Sequence, residues 1–301
     1  MTRAAGLTLL EVLIAMLLVL VVTGAALAFV ARGRNAQRTG ESLARLEEAL
    51  DDAFQLLADE IRMAGYLGLA PAASAVDGAT AVGEPEAAGL AVAGGCVTSL
   101  AHDLAHPLAA SDGAYRAAPD ASLICRPSPR GRHAGGSDVL ILRHAAATDS
   151  RPTGGRLQLE STLRAARLVA DGAMRLGPDA RWHDLEVGVY YVSADSTGRD
   201  GWPSLRRKRL VGGARPAFQD EELVAGIADL QVEFGLDDAA DTDDVVDRWA
   251  APGDATGGAT LRALRLTLEA QSDVAEPGLP GGRRHKRATR TVSLRNAGTA
   301  G

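Results

Sequence analysis

Cysteine is nearly missing from this 301-residue chain, Cys96 and Cys125 being its whole complement. Two thiols cannot frame a disulfide-dense scaffold or a four-cysteine zinc site. Aromatic residues are scarce at 4%, so a core must lean on Leu, Val and Ala. An excess of positive charge is lacking too. The 32 Lys and Arg against 38 Asp and Glu give a net charge of −6, whereas a dedicated nucleic-acid binder carries a basic footprint. No nucleic-acid partner is therefore expected. No G-x-S-x-G occurs, and neither Lys208 nor Lys286 follows a glycine, which removes the hydrolase elbow and the P-loop. What remains, 46% apolar, is enough for a core and too much for disorder. The length suits one large domain or two modest ones.

One further absence is local. Between Val12 and Ala31 no charge occurs, a run of 20 residues. As a helix it spans ~30 Å, the thickness of a bilayer's hydrocarbon. Arg32, Arg34 and Arg38 close it. A secretory signal peptide and a plain membrane anchor both fit this hydropathy. Against the signal peptide, the run exceeds the usual h-region, and Gly24-Ala25-Ala26 leads into more apolar residues rather than a polar mature start. Glu11 also stands at the head of the apolar helix, where a charge is costly.

The segment Gly6-Leu7-Thr8-Leu9-Leu10-Glu11 resembles a type IV prepilin signal. That resemblance implies a short basic leader cut after Gly6 by a prepilin peptidase. It implies N-methylation of the new first residue, Leu7, and a glutamate at the fifth mature position, which is Glu11. Leu7 departs from the usual Phe.

Beyond the apolar run the helical pattern continues. Leu43, Leu46, Leu50, Ala53, Leu57, Ile61 and Ala64 form a stripe at three- and four-residue steps. Gly65, Gly68 and Pro71 then end it. Residues 66–136 are rich in Ala, Gly and Pro and read as loop with short strands. Strand patterns follow at Val139–Leu142, Glu186–Val192, Leu205–Val211, Leu230–Phe234, Leu264–Leu268 and Arg290–Leu294. One long helix followed by strands predicts an α+β fold with an antiparallel sheet packed on that helix.

Several of these segments are similar to the PilW family of type IV minor pilins. They are Arg62-Met63-Ala64-Gly65-Tyr66, Ser137-Asp138-Val139-Leu140, Val189-Tyr190-Tyr191-Val192, Leu223–Ile227, Leu230–Gly235 and Val292–Asn296. The resemblance implies a low-abundance, non-catalytic subunit that helps initiate pilus assembly and sits near the filament tip. Its implied partners are the other minor pilins, the major pilin, the prepilin peptidase and the inner-membrane assembly platform, with room for a large tip adhesin. The implied organisation is a cleaved leader (1–6), a membrane-spanning or filament-core helix (7–31), the periplasmic half of that helix (32–65), the loop-rich segment (66–136) and a β-rich pilin-like domain (137–301). The protein would start as a single-pass inner-membrane protein and end at the pilus and cell surface. Two alternatives stay open: a J-type minor pseudopilin of a type II secretion system, and a bitopic membrane protein with a periplasmic enzyme domain.

Candidate chemistry is sparse. His102-Asp103-Leu104-Ala105-His106 places two histidines four apart, as in zinc proteases, but Asp replaces the Glu and Pro107 follows. Solvated loop histidines are expected instead. No cofactor is expected, apart from calcium as a minority reading of the acidic cluster, with Asp241, Asp243 and Asp247 as ligands. That cluster lacks the Gly and Glu of an EF-hand loop, and a solvated hairpin is the plainer expectation. The basic run Arg283–Arg287 lacks interleaved aromatics and reads as a solvated strand edge. In the periplasm implied by the resemblance, Cys96 and Cys125 are expected to pair as a disulfide.

Overall fold

Helix α1 runs from Leu9 to Met63 in a computed structural model that describes residues 8–115, 125, 132–238, 245–254, 259–273, 275–276 and 279–299. The chain divides into two units, Met1–Arg45 and Leu46–Gly301. The first is the apolar part of α1, whose large side chains from Leu9 to Val30 are exposed. This helix is long and apolar enough to cross a membrane, and the exposure is what a lipid-facing or filament-buried surface requires.

In the second unit the predicted stripe is buried. Leu46, Leu50, Ala53, Leu57, Ile61 and Ala64 are all at most 3% exposed, and Phe54 joins them. The helix stops where glycine allows it. Gly65 adopts φ +79°, the left-handed conformation that closes helices. Tyr66 N–H then donates to the Met63 carbonyl at 2.9 Å, and Gly65 N–H to the Arg143 carbonyl at 3.0 Å.

The strands are β1 (Val76–Asp77), β2 (Leu108–Ser111), β3 (Val139–Ala145), β4 (Gln158–Ser161), β5 (Ala166–Val169), β6 (Arg181–Ser193), β7 (Ser204–Val211), β8 (Ala217–Ala225), β9 (Ile227–Asp237), β10 (Arg248–Ala250), β11 (Thr260–Gln271) and β12 (His285–Thr299). They form two sheets rather than one. The larger has the order β1-β5-β4-β6-β3-β2, with β7 on β6 and β8 on β7; the smaller has the order β10-β9-β11-β12. Pairing is antiparallel except for the parallel β1–β5 contact. The fold is α+β, and β6 and β7 pair as an antiparallel hairpin.

Two cores explain the apolar runs. The first joins the buried stripe of α1 to Leu140, Leu142, Tyr190, Val192 and Leu205 of the larger sheet and to β9 and β11 of the smaller. The second lies on the other set of alternating positions, with Val139, Ile141, Val187, Val189 and Tyr191 packed against Leu67, Leu90, Leu100 and Leu104. Strands β3 and β6 are thus covered on both faces, which is why Val139–Leu142 is apolar without alternation. The described residues of the segment before β3 have little regular structure yet supply this cover. Arg143, 1% exposed, holds it by donating from Nε to the Leu100 carbonyl at 2.7 Å and from Nη1 to the His106 carbonyl at 2.6 Å.

Candidate functional site

Thr8 and Glu11 form a reciprocal cap at the start of α1. The Thr8 N–H and hydroxyl both donate to Glu11 Oε2, at 3.0 and 3.1 Å, while the Glu11 N–H reaches Thr8 Oγ1 at 3.3 Å. This is a Thr-x-x-Glu capping box, which satisfies amides that the first helical turn leaves without partners. The signal is present in the sequence as the three-residue spacing of Thr8 and Glu11. Gly6 and Leu7 lie outside the described residues.

Ser137 and Asp138 join the two sheets. Ser137 Oγ accepts from the Leu230 N–H at 3.0 Å. Asp138 Oδ1 accepts from the Gly113 N–H and Oδ2 from the Val232 N–H, both at 2.8 Å. Asp138 N–H donates to the Leu230 carbonyl at 2.8 Å. Burial pushes the Asp138 carboxyl above its usual value, with the two amides pulling the other way. One dipeptide thus fixes the start of β3 against β9. Two of the segments that carry the family resemblance, Ser137–Leu140 and Leu230–Gly235, meet at this point.

A polar cluster lies where the end of α1 crosses the larger sheet. Glu60 Oε2 is 3.1 Å from His144 Nε2, and Oε1 accepts from Arg207 at 3.1 Å. Arg207 also donates to the Tyr190 hydroxyl at 3.3 Å and pairs with Glu221 at 2.6 Å. Burial alone would raise the Glu60 carboxyl, but His144 and Arg207 hold it below the usual value. Gly188 leaves the space for this arrangement, because a Cβ there would come within 2.7 Å of the Tyr190 ring.

The other candidates are dispersed. His102 is fully buried with Nδ1 3.7 Å from Glu86, not solvated as the sequence suggested, and burial lowers its pKa. His106 pairs instead with Asp103 at 3.0 Å, so the two histidines serve different contacts. Of the acidic hairpin, Asp241 and Asp243 lie outside the described residues. Asp247 accepts the Asp238 N–H at 2.8 Å, a turn-closing contact. Cys96 and Cys125 face each other in an isolated β-bridge and are joined Sγ to Sγ.

The basic run enters β12, the outermost strand of the smaller sheet, at His285, with Arg283 and Arg284 just before it, and it is not simply solvated. Lys286 pairs with Glu47 and Arg290 with Asp51 of α1. His285 and Arg287 meet Glu269, and Arg284 meets Glu276. The opposite charges sit on α1 (Glu47 and Asp51), on β11 (Glu269) and between β11 and β12 (Glu276), and the two on α1 are too far along the chain for local reading to pair them.

Among known protein families, the model of Type IV Pilus-assembly protein W (PilW) matches residues 189–279, from the middle of β6 to the segment preceding β12. No curated protein and no solved structure matches the chain.

Proposed function

We propose that this chain, whose residues 189–279 match the PilW family of type IV pilus-assembly proteins, works as a minor pilin that helps initiate pilus assembly at or near the filament tip. Its role in this reading is structural, with no catalysis. The observation that carries the reading is the joining, in one chain, of the PilW match to an apolar helix headed by Gly6 and Glu11. The precursor would insert once in the inner membrane with its second unit in the periplasm. A prepilin peptidase would cut after Gly6, and Leu7 would become the N-methylated first residue.

Glu11 acts in this reading as the register residue. Its carboxylate is the only charge between Arg3 and Arg32, and in a low-dielectric environment it needs a positive partner. Cleavage supplies one, the amine of Leu7 or of a neighbouring subunit. The partners are the other minor pilins, the major pilin, the inner-membrane platform and, where present, a tip adhesin.

Mass spectrometry of the mature protein tests the processing: a start at N-methylated Leu7 supports it, and intact Met1 or a start near Ala26 refutes it. Affinity purification of the membrane-extracted chain tests the assignment. Pilus subunits should co-purify, whereas co-purification of type II secretion subunits alone would move the chain to the pseudopilins.

A further inference from the structure

We propose that Glu60, His144 and Glu186 form a site for a divalent transition-metal ion that fastens the end of α1 to the β3–β6 pair. The inference rests on the fold alone and does not depend on the pilus reading. Each residue offers one ligand atom, and the three atoms lie within 4.8 Å of one another. They come from three elements brought together by packing. His144 and Glu186 are directly opposite in the β3–β6 register, so their side chains share a face of the sheet. Glu60 descends onto that face from α1, with Oε2 3.1 Å from His144 Nε2.

The hydrogen bonding of His144 turns the cluster from an acidic patch into a candidate centre. Its Nδ1 lies 2.9 Å from the Ala145 carbonyl oxygen. A carbonyl only accepts, so Nδ1 carries the hydrogen, and the lone pair of a neutral ring is left on Nε2, facing a carboxylate oxygen. Two acceptors at 3.1 Å repel each other unless a cation lies between them. That cation is either a proton or a metal ion. A ring nitrogen donating to a backbone carbonyl while the other is directed at the ligand position is the usual outer arrangement of a metal-binding histidine.

Charge and access favour the metal. Arg207 holds the other Glu60 oxygen and is shared with Glu221, which Arg209 also meets at 3.7 Å, and Glu60 and Glu186 bring two carboxylates to a doubly charged ion. The Glu186 side chain is exposed; its charge acts on His144, and it makes no hydrogen bond or ion pair with another described residue. Its carboxylate is free to close the last stretch, since ligands ~2.0–2.2 Å from a tetrahedral ion lie roughly 3.3–3.5 Å apart. Solvent would complete the coordination. An imidazole with two carboxylates suits Zn²⁺ or Mn²⁺ better than Ca²⁺, which takes oxygen ligands.

The test uses the full chain without an affinity tag, purified in detergent micelles and stripped with a chelator. Titration calorimetry with Zn²⁺ should give one saturating equivalent, and the bound ion should raise the unfolding temperature until chelator is added. Glu186→Gln removes a carboxylate to which no other described residue bonds. It should weaken Zn²⁺ binding at least tenfold and leave metal-free unfolding unchanged. His144→Gln should weaken binding by at least as much. Absence of saturable binding overturns the proposal, leaving the proton as the cation between His144 and Glu60. Binding with equal affinity in the wild type and both variants overturns it as well, because the ion then sits elsewhere.

Discussion

Asp138 offers the sharpest test of how the two sheets are joined. It is 2% exposed, and its two carboxylate oxygens each accept one backbone N–H at 2.8 Å, from Gly113 and from Val232. Asp138→Ala leaves both amides in an enclosed place without an acceptor. A buried donor stripped of its partner costs ~1–3 kcal/mol, so two cost about 2–6. Part of this returns because the carboxylate's own burial penalty disappears, the same penalty that raises its pKa. A net loss of about 3 kcal/mol follows. For a domain of this size that lowers the unfolding temperature by roughly 6–12 °C. Asp138→Asn should recover little, since the amide oxygen accepts one N–H while its NH₂ confronts the other. Thermal unfolding of both variants, followed by circular dichroism in detergent, checks the reasoning. Alanine and asparagine variants melting within 2 °C of the wild type would refute it, and the inter-sheet joint would then have to reside in the apolar contacts alone.

Glu11→Gln keeps an oxygen for the Thr8 N–H, so the helix cap survives while the charge is lost; pilus counts should fall, and normal counts would confine Glu11 to capping. Thr8→Ala, by contrast, should cost the helix ~0.5–2 kcal/mol and leave co-purification with pilus subunits intact, as pull-down can show. Thiol labelling of unreduced, denatured protein should give no signal from Cys96 and Cys125, and two labelled thiols would refute their pairing in the cell. Gly94 adopts φ +109°, and a Cβ there would come within 2.7 Å of the Phe218 backbone nitrogen and oxygen. Gly94→Ala should therefore break the bridge between Ala93 and Ala217 and lower the unfolding temperature by several degrees in calorimetry.

The strands legible in the sequence are of two kinds: β3 reads as a short apolar run because both its faces are covered, and others read by alternation. β9, β11 and β12 have a covered face, and their alternation records it. β8 was missed because its middle reads Gln-Asp-Glu-Glu, a poor strand composition until the basic β7 is set beside it, with Arg206 on Asp220 and Arg207 on Glu221. β4 was missed for a different reason. Gln158, Glu160 and Ser161 are all fully buried, and each is satisfied by a contact that no local pattern encodes, such as the Glu160 carboxylate accepting from the Arg175 and Leu176 amides. Around Leu100 and His106 the loop-rich segment is held by carbonyls bound to Arg143 rather than by a sheet or helix repeat, and such contacts leave no periodicity to read. Glu60, His144 and Glu186 fall on separate elements, so only the folded chain brings them together.

The bonding of β12 to α1 sets an order of events during synthesis. Lys286 meets Glu47 and Arg290 meets Asp51, each pair 239 positions apart, and Val292 enters the same core as Leu46 and Leu50. The helix therefore leaves the ribosome long before its last covering strand exists. Over that interval its apolar stripe has no native neighbour from β12, and contacts of such sequence separation form slowly. In the proposed membrane-inserted state of its first half, the waiting helix would be kept apart from other nascent copies, and its second half would be the part exposed to holding factors. A chain halted before His285 would leave one side of α1 and the edge of β11 open, and a quality-control protease could distinguish it from the finished subunit by that surface.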